Sequence, residues 1–283
     1  MAHQADWISA VPFLGSGLGY RREIRDQIFG ARDAIDVLEV IADPYVQSPG
    51  RLDELRELCD AFPVIPHGVG LSPGSAQPPD REYLAGIRKV SDITGMPFYS
   101  EHLCMTRAPG IDLGHLAPLW YTEEVLADTI RNVEITQDAL GKPLVLENIT
   151  YVLEIPGATL TQTEFFDRLV EATGCGVLLD ITNVFINSVN HRFDSDEFLD
   201  RMPLQRVVKV HLAGGLWHQG VLVDGHSEVV QEESWTLLEK LVCRTGVKAC
   251  ILEHDANFPE SIDVLLRQVA RARSILTRQS QAA

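Results

Sequence analysis

Eight short apolar segments alternate with amphipathic stretches along this chain, and six of them in succession run into a side chain able to bind a metal. Val64–Pro66 leads into His67, Pro97–Ser100 into Glu101-His102, and Leu144–Leu146 into Glu147-Asn148. Gly176–Leu179 leads into Asp180 with Asn183 beyond, Val207–Val210 into His211, and Ala249–Leu252 into Glu253-His254-Asp255. Between the last two lies Asp224-Gly225-His226. One polar residue closing one strand is ordinary, but a run of six restricts the fold. In a parallel barrel every strand ends at the same mouth, and the active site is built there.

The first two β-like segments are Phe13–Leu18 and Asp36–Ile41. The later ones are rich in Val, Ile and Leu with little alternation, which suits strands covered on both faces of a parallel sheet. Amphipathic stretches fall at Glu23–Ala31, Leu52–Ala61, Asp80–Thr94, Thr122–Leu140, Thr161–Thr173, Asp196–Met202, Glu233–Thr245 and Pro259–Leu276. In the fourth, Val125, Ile130, Val133 and Ile135 lie near one helical face. Gly95, Gly141, Gly174 and Gly246 stand where glycine stops a helix before the next strand. No break in composition divides the chain, so residues 1–283 are expected to form a single α/β domain, a (β/α)8 TIM barrel. Such barrels take roughly 250 residues. A doubly wound open sheet is the alternative, but no glycine-rich phosphate fingerprint follows the first strand. The connections Gly68–Pro79, Leu103–Tyr121 and Ile181–Asp194 are read as long mouth-side loops that wall the site.

Composition narrows the partners. Forty acidic against 24 basic residues give a formal charge of −16, which argues against nucleic acid or an anionic membrane, since both require a basic footprint. An acidic solvated surface accounts for most of this excess, and bound cations for part of it. Five cysteines (Cys59, Cys104, Cys175, Cys243, Cys250), with no C-x-x-C pair, read as reduced thiols packed in the core. The first twenty residues show neither the basic start nor the apolar stretch of a signal peptide, and no segment approaches the roughly 18 apolar residues of a membrane helix. The expected location is the cytoplasm.

His67, His102, His211 and His226 offer imidazole nitrogens; Glu147, Asp180, Asp224 and Glu253 offer carboxylate oxygens, and Asn183 an amide oxygen. Any one of them alone would be read as a hydrogen-bonded structural residue. Several carboxylates converging on one mouth repel unless cations neutralise them. A mixed nitrogen and oxygen set without thiolate suits iron, manganese or zinc. Nine donors are too many for one ion, so two or three ions are expected, with Glu147 or Glu253 bridging a pair. Asp255 shares the strand face of Glu253 and is a candidate catalytic residue that orients a ligand or moves protons. His191, in N-S-V-N-H, is the second candidate catalytic residue, read either as supporting a ligand or as loop packing. His254 should point away from the mouth, as should Glu101, and Glu39 is read as a floor residue or a substrate contact. Cys104 is read as loop packing. His3 falls in the tail, and His115 and His218 fall in loops at the surface.

The segments P-H-G-V-G-L-S (Pro66–Ser72), S-E-H-L (Ser100–Leu103), L-E-N-I (Leu146–Ile149) and L-D-I-T-N-V with N-S-V-N-H after it (Leu179–His191) resemble the DUF692 family. So do H-L-A-G (His211–Gly214), D-G-H (Asp224–His226) and L-E-H-D (Leu252–Asp255). Its members are multinuclear non-haem iron-dependent oxidases, among them the methanobactin biosynthesis enzyme. The resemblance covers almost the whole chain. It implies a xylose-isomerase-like barrel holding two or three iron ions, with dioxygen as co-substrate. It also implies a ribosomally made precursor peptide, modified at a cysteine or another residue and often delivered by a small partner protein. All nine donors match the family's metal-binding positions. Three departures are Arg192 where glycine is more usual, Trp120 where proline is common, and His254 in place of arginine; none removes a ligand. The rival reading is a metal-dependent hydrolase or isomerase on the same type of barrel, using zinc or manganese; a catalytically dead metal-binding scaffold is a third reading that the intact ligand set disfavours.

Overall fold

The first strand, β1 (Gly15–Gly19), reads GSGLG, and its glycines let the backbone run very close to its neighbour. A Cβ on Gly17 would stand 1.6 Å from the Val37 carbonyl oxygen, so no other residue fits there. The computed structural model describes residues 7–108 and 110–282. After β1 come α1 (Arg25–Gly30), β2 (Val37–Ile41), α2 (Asp43–Gln47), α3 (Leu52–Ala61), β3 (Val64–Gly68) and α4 (Arg81–Thr94). The chain continues through β4 (Tyr99–His102), β5 (Met105–Ala108), β6 (Ile111–Ala117), α5 (Glu123–Leu140), β7 (Leu144–Glu147) and α6 (Gln162–Thr173). Then follow β8 (Gly176–Asp180), α7 (Ile181–His191), α8 (Ser195–Arg201), β9 (Val207–Ala213), β10 (Leu216–His218) and β11 (Val221–Val223). The chain finishes with α9 (Glu232–Val242), β12 (Ala249–Glu253) and α10 (Asp263–Ala282).

Eight of these strands close a parallel barrel in the order β1-β12-β9-β8-β7-β4-β3-β2, which is the predicted (β/α)8 architecture. Two apolar layers hold it. The larger lies between strands and helices, where Leu18, Leu38, Leu146, Leu179 and Val210 meet Leu55, Ile87, Phe165, Leu238 and Val269. The smaller fills the barrel's lower end: Val37, Ile65, Phe98, Val145, Leu178 and Ile251 pack with Ile8, Val11 and Trp7 from the N-terminal segment. Inward side chains alternate along each strand, so the residue two positions on from each of these reaches the layer above.

The helices begin and end as their sequences require. Asp80 accepts from Tyr83 N at 2.8 Å, and Thr161 and Glu164 form a reciprocal capping box. Gly95, Gly141 and Gly174 take the left-handed C-cap conformation, as expected. The fourth expected stop fails: α9 ends at Val242, and Arg244 and Thr245 donate back to the Leu241 carbonyl before Gly246 is reached.

Two of the three connections expected to be loops carry regular structure. Leu103–Tyr121 contains the β5–β6 hairpin, and Ile181–Asp194 contains α7. The latter begins directly after β8 because the Asp180 carboxylate accepts from Asn183 N at 2.7 Å and caps it. Arg192 is the left-handed C-cap of α7 with φ 59°. That conformation is what glycine relieves. Among the described residues no helix is long and apolar enough to cross a membrane.

Candidate metal centre

Above the apolar plug the barrel interior turns polar in one step. On β2, Val37 gives way to Glu39; on β3, Ile65 to His67; on β4, Phe98 to Ser100 and His102. On β7, β8 and β12, Val145, Leu178 and Ile251 give way to Glu147, Asp180 and Glu253, and β9 contributes His211. All of these except His102, which is half-buried, are buried. The polar layer opens into a cavity of about 660 Å³ that reaches His102, Glu147, Asn183, Asp224, His226, Glu253 and Asp255.

Glu147 sits at the centre. Its Oε2 lies 3.2 Å from His67 Nε2 and 3.4 Å from His102 Nε2, while its Oε1 lies 3.2 Å from His211 Nδ1. The donors fall into two compact groups that share it: His67, His102 and Glu147; and Glu147, Asp180, His211 and Glu253. Within each group the ligand atoms lie within 4.8 Å of one another, the spread that one ion can span. On the outer side, His226 Nε2 and Asp224 Oδ1 are 2.8 Å apart and share the cavity with Asn183.

The ring orientations are set from behind. Ser100 Oγ donates to the Pro66 carbonyl and therefore accepts from His67 Nδ1 at 3.0 Å, leaving Nε2 as the free lone pair. The Gly68 carbonyl holds His102 Nδ1 at 3.0 Å, and Asp255 Oδ2 lies 3.3 Å from His226 Nδ1. Both rings then also present Nε2. His226 takes a left-handed conformation, φ 47°, in the loop that follows β11. Asn148, buried beside the site, grips β8 through Asp180 N and Asp180 O at 2.9 Å each.

Several buried atoms aimed at this space have no hydrogen-bond partner: His67 Nε2, Glu147 Oε2, Asp180 Oδ2, Asn183 Oδ1, Asp224 Oδ1 and His226 Nε2. Four of these face each other in pairs, His67 Nε2 with Glu147 Oε2 and His226 Nε2 with Asp224 Oδ1, while Asp180 Oδ2 and Asn183 Oδ1 stand without a partner, and cations held between them would satisfy the set. Electrostatics agree. Burial, then Asp224, Glu147 and Glu253, push Asp180 well above the carboxylate range. Burial alone would lower His102, but Glu147 and Glu101 raise it to about 9, and His211 and His226 are held high in the same way. The cluster demands positive charge, from protons or from metal cations. Its donor set fits two or three divalent ions of the iron, manganese or zinc kind.

The remaining expected residues fall as follows. Glu101 faces away from the mouth, accepting from Leu71 N and His102 N, and burial raises it to about 7. His254 also turns away, its ring 5.7 Å from that of Phe258. Asp255 stays at the rim, ion-paired with Arg21. His191 lies apart from the donors, stacked on Tyr151 with its Nε2 2.8 Å from the Tyr151 carbonyl. Glu39 is on the floor of the site, paired with Lys209, a fully buried cation that the sequence reading passed over. Cys104 is buried beneath the mouth, and His115 is exposed on the β5–β6 hairpin. His218 is exposed on β10, and His3 lies outside the described residues.

Fold and site together define an α/β barrel whose mouth gathers side chains that could hold metal ions. A family profile described as RiPP precursor modification enzyme MbnB/TglH/ChrH matches residues 15–277. The chain belongs to that family, whose substrates are ribosomally synthesised, post-translationally modified peptides. A UPF0276 protein of Rhizorhabdus wittichii is 39% identical over 261 residues, covering 90% of this chain and 93% of its own. Among solved structures, D-psicose 3-epimerase from Clostridium cellulolyticum H10 superposes with a TM-score of 0.56 at 11% identity, covering 94% of this chain and 98% of its own. A xylose isomerase domain protein from Planctomyces limnophilus gives 0.50 at 14% identity, covering 96% and 95%. At such identities the likeness is one of fold alone.

Proposed function

We propose that this chain is an iron- and dioxygen-dependent oxidase, acting in the cytoplasm on a cysteine of a ribosomally made precursor peptide. The observation that carries the reading is Glu147, shared by two adjacent donor groups, each compact enough for one ion. In this reading His67, His102 and Glu147 hold one ion, and Glu147, Asp180, His211 and Glu253 a second. Asn183, Asp224 and His226 offer a place for a third. Bound iron would supply dioxygen activation and one-electron oxidation, chemistry that no side chain here provides. Across the reaction the peptide loses electrons and protons, and dioxygen takes them up.

The chain's own residues bind and orient. Four carboxylates, Glu147, Asp180, Asp224 and Glu253, balance the charge of two divalent ions; a third leaves a positive surplus that a cysteine thiolate would meet. Asp255 is kept below the usual carboxylate range, because the His226 contact and Arg21 outweigh the effect of its burial. It is therefore ionised near neutrality and, held by Arg21, orients the His226 ring from the rim. His191 acts as a positioning residue, holding the Tyr151 carbonyl and with it the segment that follows β7. The β5–β6 and β10–β11 hairpins flank the mouth, which suits a peptide brought in by a small partner protein.

The test is mass spectrometry of the cognate cysteine-bearing peptide after incubation with iron-loaded enzyme, with and without oxygen. A mass change that requires iron, oxygen and the cysteine is expected, and His102→Ala should abolish it while His3→Ala should not. An unmodified peptide in air, with the partner present and the site full, refutes the oxidase reading. Stoichiometric zinc under iron-replete anaerobic conditions, with hydrolysis as the only activity, would favour the rival.

A further inference from the structure

The nine donors come from β3, β4, β7, β8, β9 and β12, or from the segments that follow them. The two remaining strands, β1 and β2, are neighbours in the barrel, and Glu39 of β2 stays on the floor. One sector of the mouth therefore carries none of the donors at its rim, yet the cavity of about 660 Å³ extends into it. Its wall there is formed by Tyr20, Arg21 and Arg22 after β1, and by Tyr45, Arg51 and Glu54 after β2. Three arginines on one wall stand out in a chain of net charge −16.

Two of the three are already committed. Arg21 pairs with Asp255, and its Nη1 donates to the Tyr20 carbonyl at 2.9 Å. Arg22 grips Glu54 through two bonds of 2.8 Å, and the Tyr20 hydroxyl donates to the same carboxylate at 2.9 Å. Each of these pairs is neutral. Arg51 differs: it is half-buried in the turn before α3, and its side chain makes no hydrogen bond or ion pair among the described residues. Glu23, the remaining acid on this wall, is exposed to solvent. The positive charge left over inside the cavity is thus that of Arg51. A guanidinium carries five donors in a flat fork and meets a carboxylate through two parallel bonds. A peptide offers carboxylates at its C-terminus and on its acidic side chains.

Resting on the reading of the mouth as a peptide-modifying metal centre, we propose that Arg51 is a substrate-binding residue that takes a carboxylate of the peptide in the sector above β1 and β2. The Arg21–Asp255 and Arg22–Glu54 pairs frame that subsite without competing for its anion. The peptide is then held at two points of one cavity, its thiol among the donors and its carboxylate at Arg51. Specificity follows from the second point: a cysteine with a carboxylate near it is preferred over a cysteine without one.

The test is isothermal titration calorimetry of zinc-loaded protein, in which a thiol can bind without being oxidised. The probes are N-acetyl-cysteine, N-acetyl-cysteinamide, and the two blocked dipeptide amides with glutamate before or after cysteine. At least one carboxylate-bearing probe should bind ~10–100-fold more tightly than N-acetyl-cysteinamide, the range of a hydrogen-bonded ion pair. An advantage for N-acetyl-cysteine assigns the subsite to a C-terminal carboxylate, and an advantage for a dipeptide assigns it to an acidic side chain. Arg51→Gln should abolish the advantage, and Arg56→Gln, at an exposed position of α3, should leave it whole. With the precursor peptide, Arg51→Gln should raise KM by the same factor and leave kcat unchanged, as for a contact made equally in the ground and transition states. Should Arg51→Gln fail to fold, Arg51→Lys, which keeps the charge and loses the fork, should reduce the advantage. No advantage in the unsubstituted protein overturns the subsite, as does one that survives both Arg51 variants, since the metal would then be taking the carboxylate. Zinc-dependent binding of N-acetyl-cysteinamide sustains the reading of the mouth in either case; a protein that binds none of the thiols overturns both together.

Discussion

Replacing Glu147 tests the architecture of the site more sharply than replacing any other ligand. Its two oxygens face different groups, one toward His67 and His102 at 3.2 and 3.4 Å and one toward His211 at 3.2 Å. Glu147→Ala therefore leaves a pair of imidazoles on one side, and Asp180, His211 and Glu253 on the other. Two neutral nitrogens hold iron(II) weakly, and a three-donor remnant holds it less firmly than the intact set, so more than one ion per chain should be lost. His102→Ala, which touches one group, should cost a single ion. Glu253→Ala, in the second group and 3.9 Å from His226, provides a second test of bridging.

The loss has a thermal consequence. An ion present at a hundred times its dissociation constant stabilises the native state by about 2.7 kcal/mol, so two contribute ~5 kcal/mol. In a domain of this size 1 kcal/mol moves the melting temperature by about 2–4 °C, which makes the expected fall ~10–20 °C. Elemental analysis after gel filtration and differential scanning calorimetry, each with and without chelator, are the assays. Chelation should remove most of the difference between the variant and the unsubstituted protein. Loss of at most one ion in both Glu147→Ala and Glu253→Ala, or a difference in melting temperature that chelator leaves unchanged, would refute the bridging argument.

Three further outcomes follow from particular residues. Asp180→Asn keeps the α7 cap but removes a carboxylate that burial and its neighbours push upward, so the metal-free protein should gain about 1 kcal/mol while the metal-loaded one loses an ion; a metal-free variant melting below its parent counts against this. In the metal-free state His102 is raised from 6.5 to about 9, so its stabilisation is present below 6.5 and lost as the pH rises through 9. The melting temperature of chelated protein should fall across that window while the metal-loaded protein, whose imidazoles are already neutral, changes less; a rise on chelation would contradict it. Arg192→Gly relieves a left-handed residue at the end of α7, and calorimetry should show a gain of up to about 1 kcal/mol, with metal content unchanged.

Much of the fold and the donor set was legible because both depend on a short period. In a strand the inward residues alternate, so an apolar run closed by His, Glu or Asp announces which face meets the mouth; His67, His102, Glu147, Asp180, His211 and Glu253 were readable in that way, whereas Asn183, Asp224 and His226 lie beyond the strand ends. What escaped depended on position in the layer and on local capping. Lys209 was visible as the residue two before His211 in V-V-K-V-H-L, but a lysine in an apolar strand reads as an exception until Glu39 is known to stand opposite. The stretch after Asp180 looked like a loop for its asparagines and serine. Yet Ile181, Val184, Phe185 and Val189 carry helical spacing, and Asp180 supplies the cap. The supports behind the rings, Ser100 and the Gly68 carbonyl, carry no motif of their own and become functional only through the strand beside them.

The barrel itself does not choose the chemistry, since sugar epimerases share it. The choice lies in the charge of one layer. Four carboxylates meet there with four imidazoles, above a buried Glu39–Lys209 pair, and Asp180 Oδ2 and Asn183 Oδ1 stand without a partner. Glu147, Asp180, Asp224 and Glu253, with Glu39 beneath them and Glu101 and Asp255 behind the imidazoles, are seven of the forty acidic residues, so most of the charge of −16 lies away from the centre. What matters is that the first four are buried or nearly so, where repulsion is not screened by solvent. A chain that places them together folds against that repulsion unless cations arrive, so under the proposed function metal supply would contribute to its stability.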